Sequence, residues 1–194
     1  MQRQYEDFFI PFPILETERL RLRRIRRCDT ADIYRYSKKH SVCRYTEWSP
    51  HTDLRQTRAF VRQIIRSYRR REGLMWGIEL KETGQVIGTC GFTVVDPSFY
   101  IAEIGYCLSE DFWHRGLGTE AVGRLVAFGF ETVRFLRIEA RAMPENKASI
   151  AIIEKLGFEF EGLNKKSMFF KGGAHDILRY ALTDDRYFDL LNKG

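Results

Sequence analysis

Ile101-Ala102-Glu103-Ile104-Gly105-Tyr106-Cys107-Leu108 and, four residues later, Trp113-His114-Arg115-Gly116-Leu117-Gly118-Thr119 form the stretch whose reading decides the fold. The first segment is rich in apolar and aromatic residues and reads as a strand. The second carries two glycines and opens onto an apolar run, residues 121–130, that reads as a helix extending to about Val133. A helix N-terminus presents unpaired N–H groups and the positive end of a dipole. Glycines there let an anion approach the backbone, so a pyrophosphate fits such a turn without a lysine. Taken alone, the turn also reads as a plain strand-to-helix connection.

Working outward, the period of two persists upstream. Residues 75–80 and 85–95 read as strands joined by Lys81-Glu82-Thr83-Gly84, and Pro97-Ser98 punctuates before residue 101. Earlier still, Phe60, Val61, Ile64, Ile65 and Tyr68 recur at helical spacing, with Thr52 or Asp53 as the cap and Gly73 as the stop. Asp29 caps a shorter helix to Ser37, and a strand covers residues 19–24. Residues 1–14, with Pro11-Phe12-Pro13, read as an extension before one domain at 15–194. Downstream come a strand at 137–142, a helix at 146–156 ended by a left-handed Gly157, and strands at 158–167 and 175–183 around Lys171-Gly172-Gly173. Asp184 caps a terminal helix. This mixture predicts an α/β mixed sheet covered by helices. It departs from a dinucleotide βαβ fold, because the glycine turn follows a run of strands rather than the first one.

Composition narrows the function classes. No stretch reaches the ~20 apolar residues that span a bilayer, and Met1-Gln2-Arg3-Gln4 leads into no apolar run, so a cytoplasmic protein without membrane association is expected. Cys28, Cys43, Cys90 and Cys107 form no CxxC pair, which predicts reduced thiols and no metal site. The net charge of +6 is uneven: residues 1–72 hold 18 Lys and Arg against 9 Asp and Glu. Such a segment either attracts phosphate-bearing partners or coats solvated helix faces. No aromatic-rich RNA-binding signature accompanies it, so no direct nucleic-acid function is expected.

Several motifs together resemble the GNAT superfamily of N-acetyltransferases, in its RimJ/RimL-like branch. They are residues 113–121 around Arg115-Gly116-Leu117-Gly118, then Ile87-Gly88-Thr89-Cys90-Gly91 and Ala102-Glu103-Ile104-Gly105-Tyr106. Asn146-Lys147-Ala148-Ser149 follows, continued by Glu154-Lys155-Leu156-Gly157-Phe158, and then the tail from Asp176 to Asp185. Trp113 stands where the superfamily motif has Gln or Arg, as is common in that branch. The resemblance implies a splayed sheet with acetyl-CoA between strands 101–108 and 137–142. It implies that backbone groups of Tyr106, Cys107 and Leu108 hold the pantetheine arm. His114, Arg115, Gly116, Leu117, Gly118 and Thr119 would take the pyrophosphate, with Asn146 near the amine channel.

The chemistry needs a neutral amine, and the leaving thiolate gains from a proton donor. Asn146 and Ser149 are three apart on a helix and share a face, so Ser149 can donate that proton or serve as a local capping residue. Many superfamily members carry Tyr where this chain has Ile153, which cannot donate, so weight shifts to Ser149. Glu103 is the candidate base; its alternative role is to pair with an arginine on a neighbouring strand. Cys107 reads as packing, and His51 and His175 as structural. The expected acceptor is a protein N-terminal α-amine, a ribosomal protein among the possible substrates. An α-amine of pKa ~7.7–8.0 is roughly a tenth neutral at pH 7, whereas a lysine near 10.4 is almost wholly charged. A small-molecule amine and a non-catalytic CoA-binding or ribosome-associated module are the rival readings, and the oligomeric state stays open.

Overall fold

The protein was analysed as a computed structural model, which describes residues 5–96, 98 and 100–193. Met1 to Gln4 and the expected punctuation at Pro97 lie outside the described residues. The strands are β1 (Leu15–Glu16), β2 (Leu20–Arg23), β3 (Leu74–Leu80), β4 (Val86–Asp96), β5 (Ile101–Leu108), β6 (Arg137–Ala142), β7 (Glu159–Phe170) and β8 (Gly173–Thr183). The helices are α1 (Thr30–Ser37), α2 (His40–Cys43), α3 (Leu54–Arg70), α4 (Leu117–Phe128), α5 (Lys147–Lys155) and α6 (Asp184–Lys193).

All eight strands join one sheet in the order β1-β2-β3-β4-β5-β6-β8-β7. Every neighbouring pair is antiparallel except β5 and β6. That parallel pair is bonded only from Ile101↔Arg137 to Ile104↔Ala140. Beyond Ile104 the strands separate: β5 stays on β4 through Gly88↔Leu108, and β6 stays on β8 through Ala142↔Leu178. The β6-facing edge of residues 105–108 is therefore left without a strand partner. The mixed α/β sheet is the one the element order predicted, and its splay is the one the family resemblance implied.

Two apolar clusters hold the layers. The larger sets Trp76, Phe92, Ala121, Val122, Leu125 and Ile138, each at most 1 % exposed, between the sheet and α4. The smaller packs Ile33 of α1 and Val61, Ile64 and Tyr68 of α3 against Ile25 and Val86. Tyr68 fastens that layer twice, donating to Met75 O at 2.7 Å and accepting from Ile25 N at 3.1 Å. The segment read as an extension packs into the larger cluster: Phe8 and Phe9 are buried, Phe8 meets Phe128 edge-on at 5.6 Å, and Trp76 donates to Pro13 O at 2.9 Å.

Of the two caps offered for α3, Asp53 is the one used, accepting from Gln56 N at 2.9 Å. Asp29 does not cap α1 with its side chain. Its carboxylate instead takes both Nη groups of buried Arg23 at 2.9 Å, because a guanidinium removed from water demands a bidentate acid more strongly than a helix end open to water demands a cap. Glu79 completes that buried network through Arg23 Nε. The left-handed Gly157 after α5 is present, with φ +88°. The helix expected to reach Val133 is α-helical to Phe128 and continues as a π turn over Gly129–Val133.

Candidate active site

The glycine turn lies where β5 leaves the splay. Gly116 is the N-cap of α4 with φ +74°, a left-handed backbone that costs glycine little and other residues more. It directs the first-turn amides of α4 outward, where no intrahelical acceptor exists for them. Gly118 serves packing as well: a Cβ there would stand 3.0 Å from Ile152 Cδ1 of α5.

The turn is braced from behind by residues that sequence reasoning passed over. Arg19 Nη1 donates to Arg115 O at 2.9 Å, and Arg19 Nη2 pairs with Glu120 at 2.6 Å. Glu120 also accepts from Thr17 Oγ1 and Arg19 N. Burial pushes its carboxyl up, but these hydrogen bonds outweigh that and hold it below the ordinary glutamate range. The acid in the first turn of α4 is thus turned toward Thr17 and Arg19. Trp113 Nε1 donates to Leu108 O at 2.9 Å and ties the turn to the end of β5. The Trp at the head of the motif, where the superfamily has Gln or Arg, was the one available signal for this contact.

Two cavities meet beside the turn. The first, of about 530 Å³, is lined by Tyr106, Cys107, Leu108, His114, Gly116, Leu117, Gly118, Thr119, Asn146 and Ser149 among others. Ten of the twelve expected site residues therefore share one space. Arg115 does not line it; its guanidinium lies 5.4 Å from the centre of the Phe112 ring. Glu103 lies in the second cavity, of about 400 Å³, with Glu47, Arg141, Met168 and Phe170. Tyr106, Asn146 and Ser149 belong to both walls. The far side is built by α2, which the sequence did not reveal, and by the chain just after it. Ser41 donates to Glu110, Lys39 pairs with Glu110 and Asp111, and Lys171 reaches Cys43 O from the β7–β8 turn.

At the shared wall, Asn146 caps α5 by accepting from Ser149 N at 3.2 Å. Ser149 Oγ lies 2.8 Å from the Tyr106 hydroxyl. Burial, offset in part by the hydrogen bond with Ser149, pushes the Tyr106 phenol up to about 12. A phenol that the family resemblance would seek at position 153 thus arrives from β5, while Ile153 is buried in the core. Glu103 is held by Arg141 through two 2.7 Å contacts. Oε1 also accepts from Thr93 Oγ1 at 3.3 Å, so it is Oε2 that keeps a further lone-pair site, since ionised carboxylates offer about four. Cys107 lies 3.3 Å from Thr89 Oγ1, and burial raises its thiol, which suits packing rather than nucleophilic attack. His51 bonds Ser37 and Thr57, with its pKa lowered by burial, and His175 stacks on Phe170 at 4.1 Å.

Known proteins share this arrangement. A model described as acetyltransferase (GNAT) domain matches residues 19–159. An uncharacterized N-acetyltransferase, p20 of Bacillus licheniformis, is 36% identical over 173 residues, covering 89% of this chain and 97% of its own. The [ribosomal protein uS5]-alanine N-acetyltransferase of Escherichia coli is 34% identical over 100 residues, covering 51% of this chain and 52% of its own. In fold, the chain is similar to RimL, the ribosomal L7/L12 alpha-N-protein acetyltransferase in complex with coenzyme A. The TM-score is 0.79 at 23% identity, covering 88% of this chain and 98% of that one. Among the described residues no helix is long and apolar enough to cross a membrane. With a splayed sheet, a glycine turn at its mouth and a domain model matching most of its length, the chain belongs to the GNAT acetyltransferase family and is an N-acetyltransferase.

Proposed function

We propose that the chain acetylates a protein N-terminal α-amine from acetyl-CoA, with a ribosomal protein as acceptor. The observation that carries the reading is the meeting of the two cavities at Tyr106, Asn146 and Ser149. One cavity suits the acyl donor and the other the amine. The first fits acetyl-CoA on its own chemistry: a left-handed glycine at a helix N-terminus, an acid turned away at Glu120, and a bare β5 edge able to pair with an extended amide-bearing arm. Gly116, Leu117, Gly118 and Thr119 would hold the pyrophosphate through backbone amides, with His114 and Arg115 at its outer side. The backbones of Tyr106 and Cys107 would take the pantetheine arm; the Leu108 carbonyl already accepts from Trp113. When bound, acetyl-CoA supplies the acetyl group on a thioester whose sulfur leaves.

The residues of this chain then divide the proton work. Glu103 faces the amine cavity, oriented by Arg141, and accepts the amine proton through water. Ser149 Oγ gives its proton to the departing sulfur and draws on the Tyr106 hydroxyl behind it. Such assistance is typically worth about 10²–10⁴ in rate. An α-amine, neutral in appreciable fraction near pH 7, suits a carboxylate base better than a lysine amine does.

The acceptor is tested with two panels in a CoA-release assay. One holds peptides beginning Ala, Ser or Met; the other holds polyamines, amino sugars and free amino acids. Turnover is expected on the peptides. Strong turnover on a small amine with none on peptides would replace this reading by small-molecule acetylation.

A further inference from the structure

Helix α3 carries Arg55, Arg58, Arg62, Arg66 and Arg69 at spacings of three and four, all exposed. At 100° per residue these five fall within a sector of about 80°, and at 1.5 Å per residue they span about 21 Å. The buried Thr57, Val61, Ile64 and Tyr68 lie away from them and face the core. Elsewhere in the molecule several arginines find an acid: Arg19, Arg21, Arg23, Arg137 and Arg141 each reach a carboxylate, while others such as Arg24 and Arg115 lie over aromatic rings. On α3 no ion pair forms among the described residues, and the helix contains no acid. Helix stability does not account for the pattern. Arg66 and Arg69 favour the C-terminal dipole, Arg55 and Arg58 oppose the N-terminal one and have the cap Asp53 as a nearby acid, and Arg62 in mid-helix gains from neither end.

We propose that this stripe is a docking surface for the phosphate backbone of double-helical RNA. A row of cations without interleaved apolar groups matches dense phosphates and lacks the apolar centre of a protein interface. Membranes demand apolar side chains for insertion; on α3 Phe60, Val61, Ile64 and Ile65 pack on the core, and exposed Leu54 stands at the helix start outside the arginine sector. Single strands are gripped by exposed aromatics, whereas Phe60 and Tyr68 pack inward. Contact with a phosphate backbone needs no aromatic signature, which is why the absence of one in the sequence does not oppose this docking. Only the choice of RNA over DNA rests on the ribosomal-acceptor reading.

The test is fluorescence anisotropy with a labelled RNA duplex of about 16 base pairs, the span a double-strand reader covers. The wild type should bind at low salt and lose roughly 100-fold or more between about 50 and 200 mM, a slope near −4 for five phosphates. The triple variant R58E/R62E/R66E should abolish this binding, with acetyl-CoA affinity by calorimetry unchanged. If that variant fails to fold, R58Q/R62Q/R66Q replaces it and should lose at least about 10-fold. No RNA binding at about 50 mM salt, or binding untouched by the substitutions, overturns the proposal. So does equal affinity for polyglutamate or anionic vesicles, or tighter binding of a DNA duplex of the same sequence. Because RNA binding is read without any acceptor, its failure is distinct from failure of the peptide assay.

Discussion

Tyr106 and Ser149 face each other across the wall between the two cavities, and the residue scale is where their roles separate. Ser149→Ala removes the proposed proton donor, and turnover should fall about 10²–10⁴-fold while acetyl-CoA affinity stays within a few-fold. Tyr106→Phe leaves Ser149 its hydroxyl but removes the one behind it, a loss on the scale of one hydrogen bond and about 10-fold in turnover. Steady-state kinetics with calorimetry on each variant separates the two; wild-type turnover in both would remove the pair from the chemistry. The pH profile follows from the raised phenol. A group whose pKa rises to about 12 keeps its proton throughout the neutral range, so it imposes no alkaline loss there. With an N-terminal peptide, kcat/KM should climb through about pH 7.7–8.0 as the amine deprotonates, then level off. A descending limb below about pH 10 that vanishes in Tyr106→Phe would contradict this. Asn146 came from the family resemblance and helical spacing put Ser149 on its face, and Glu103 with its arginine partner was foreseen as one of two roles. Tyr106 was expected to order a water with Glu103; its contact with Ser149 was not foreseen, because the two are 43 residues apart and only the fold brings them together.

At the scale of elements, the turn and α4 act with β5. Gly116→Asp places a carboxylate at the proposed pyrophosphate site and should abolish acetyl-CoA binding. Gly116→Ala isolates the backbone contribution: a left-handed alanine costs about 1 kcal/mol, so affinity should fall by roughly 10-fold or less. Gly118→Glu has a mixed effect, since its Cβ crowds Ile152 Cδ1 and that side chain must give way. Its loss of binding should therefore come with a lower melting temperature, visible by calorimetry. Glu120→Gln tests the brace. With Glu120 held below the ordinary glutamate range, its contribution is present above the unfolded pKa near 4.3 and lost as pH falls through the folded one. At neutral pH the variant should lose roughly 1–2 kcal/mol and weaken acetyl-CoA binding by loosening Arg19 from the turn. Unchanged binding and stability would show the brace to be idle.

At the scale of the whole molecule, the N-terminal segment belongs to the core. Phe9 is 1% exposed, and Phe9→Ala should cost about 3–5 kcal/mol, measured by urea unfolding. A change below about 1 kcal/mol would mean that the segment rests on the domain without supporting it. This burial escaped the sequence because Pro11 and Pro13 punctuate the chain and no periodicity marks two adjacent phenylalanines as inward.

The sequence by itself determined the order and kind of the longer elements. Residues 101–108 and 137–142 are strands with the bounds it predicted, and α3 and α5 shift by only a residue or two at their ends. It also located the glycine turn, because side-chain period and turn chemistry are local properties of the chain. Tertiary structure alone decided where β5 and β6 part, which hydroxyl backs Ser149, which acid Arg23 takes and what braces the turn. Each of these is a contact between residues distant in sequence, chosen by competition among partners that only the folded packing brings within reach.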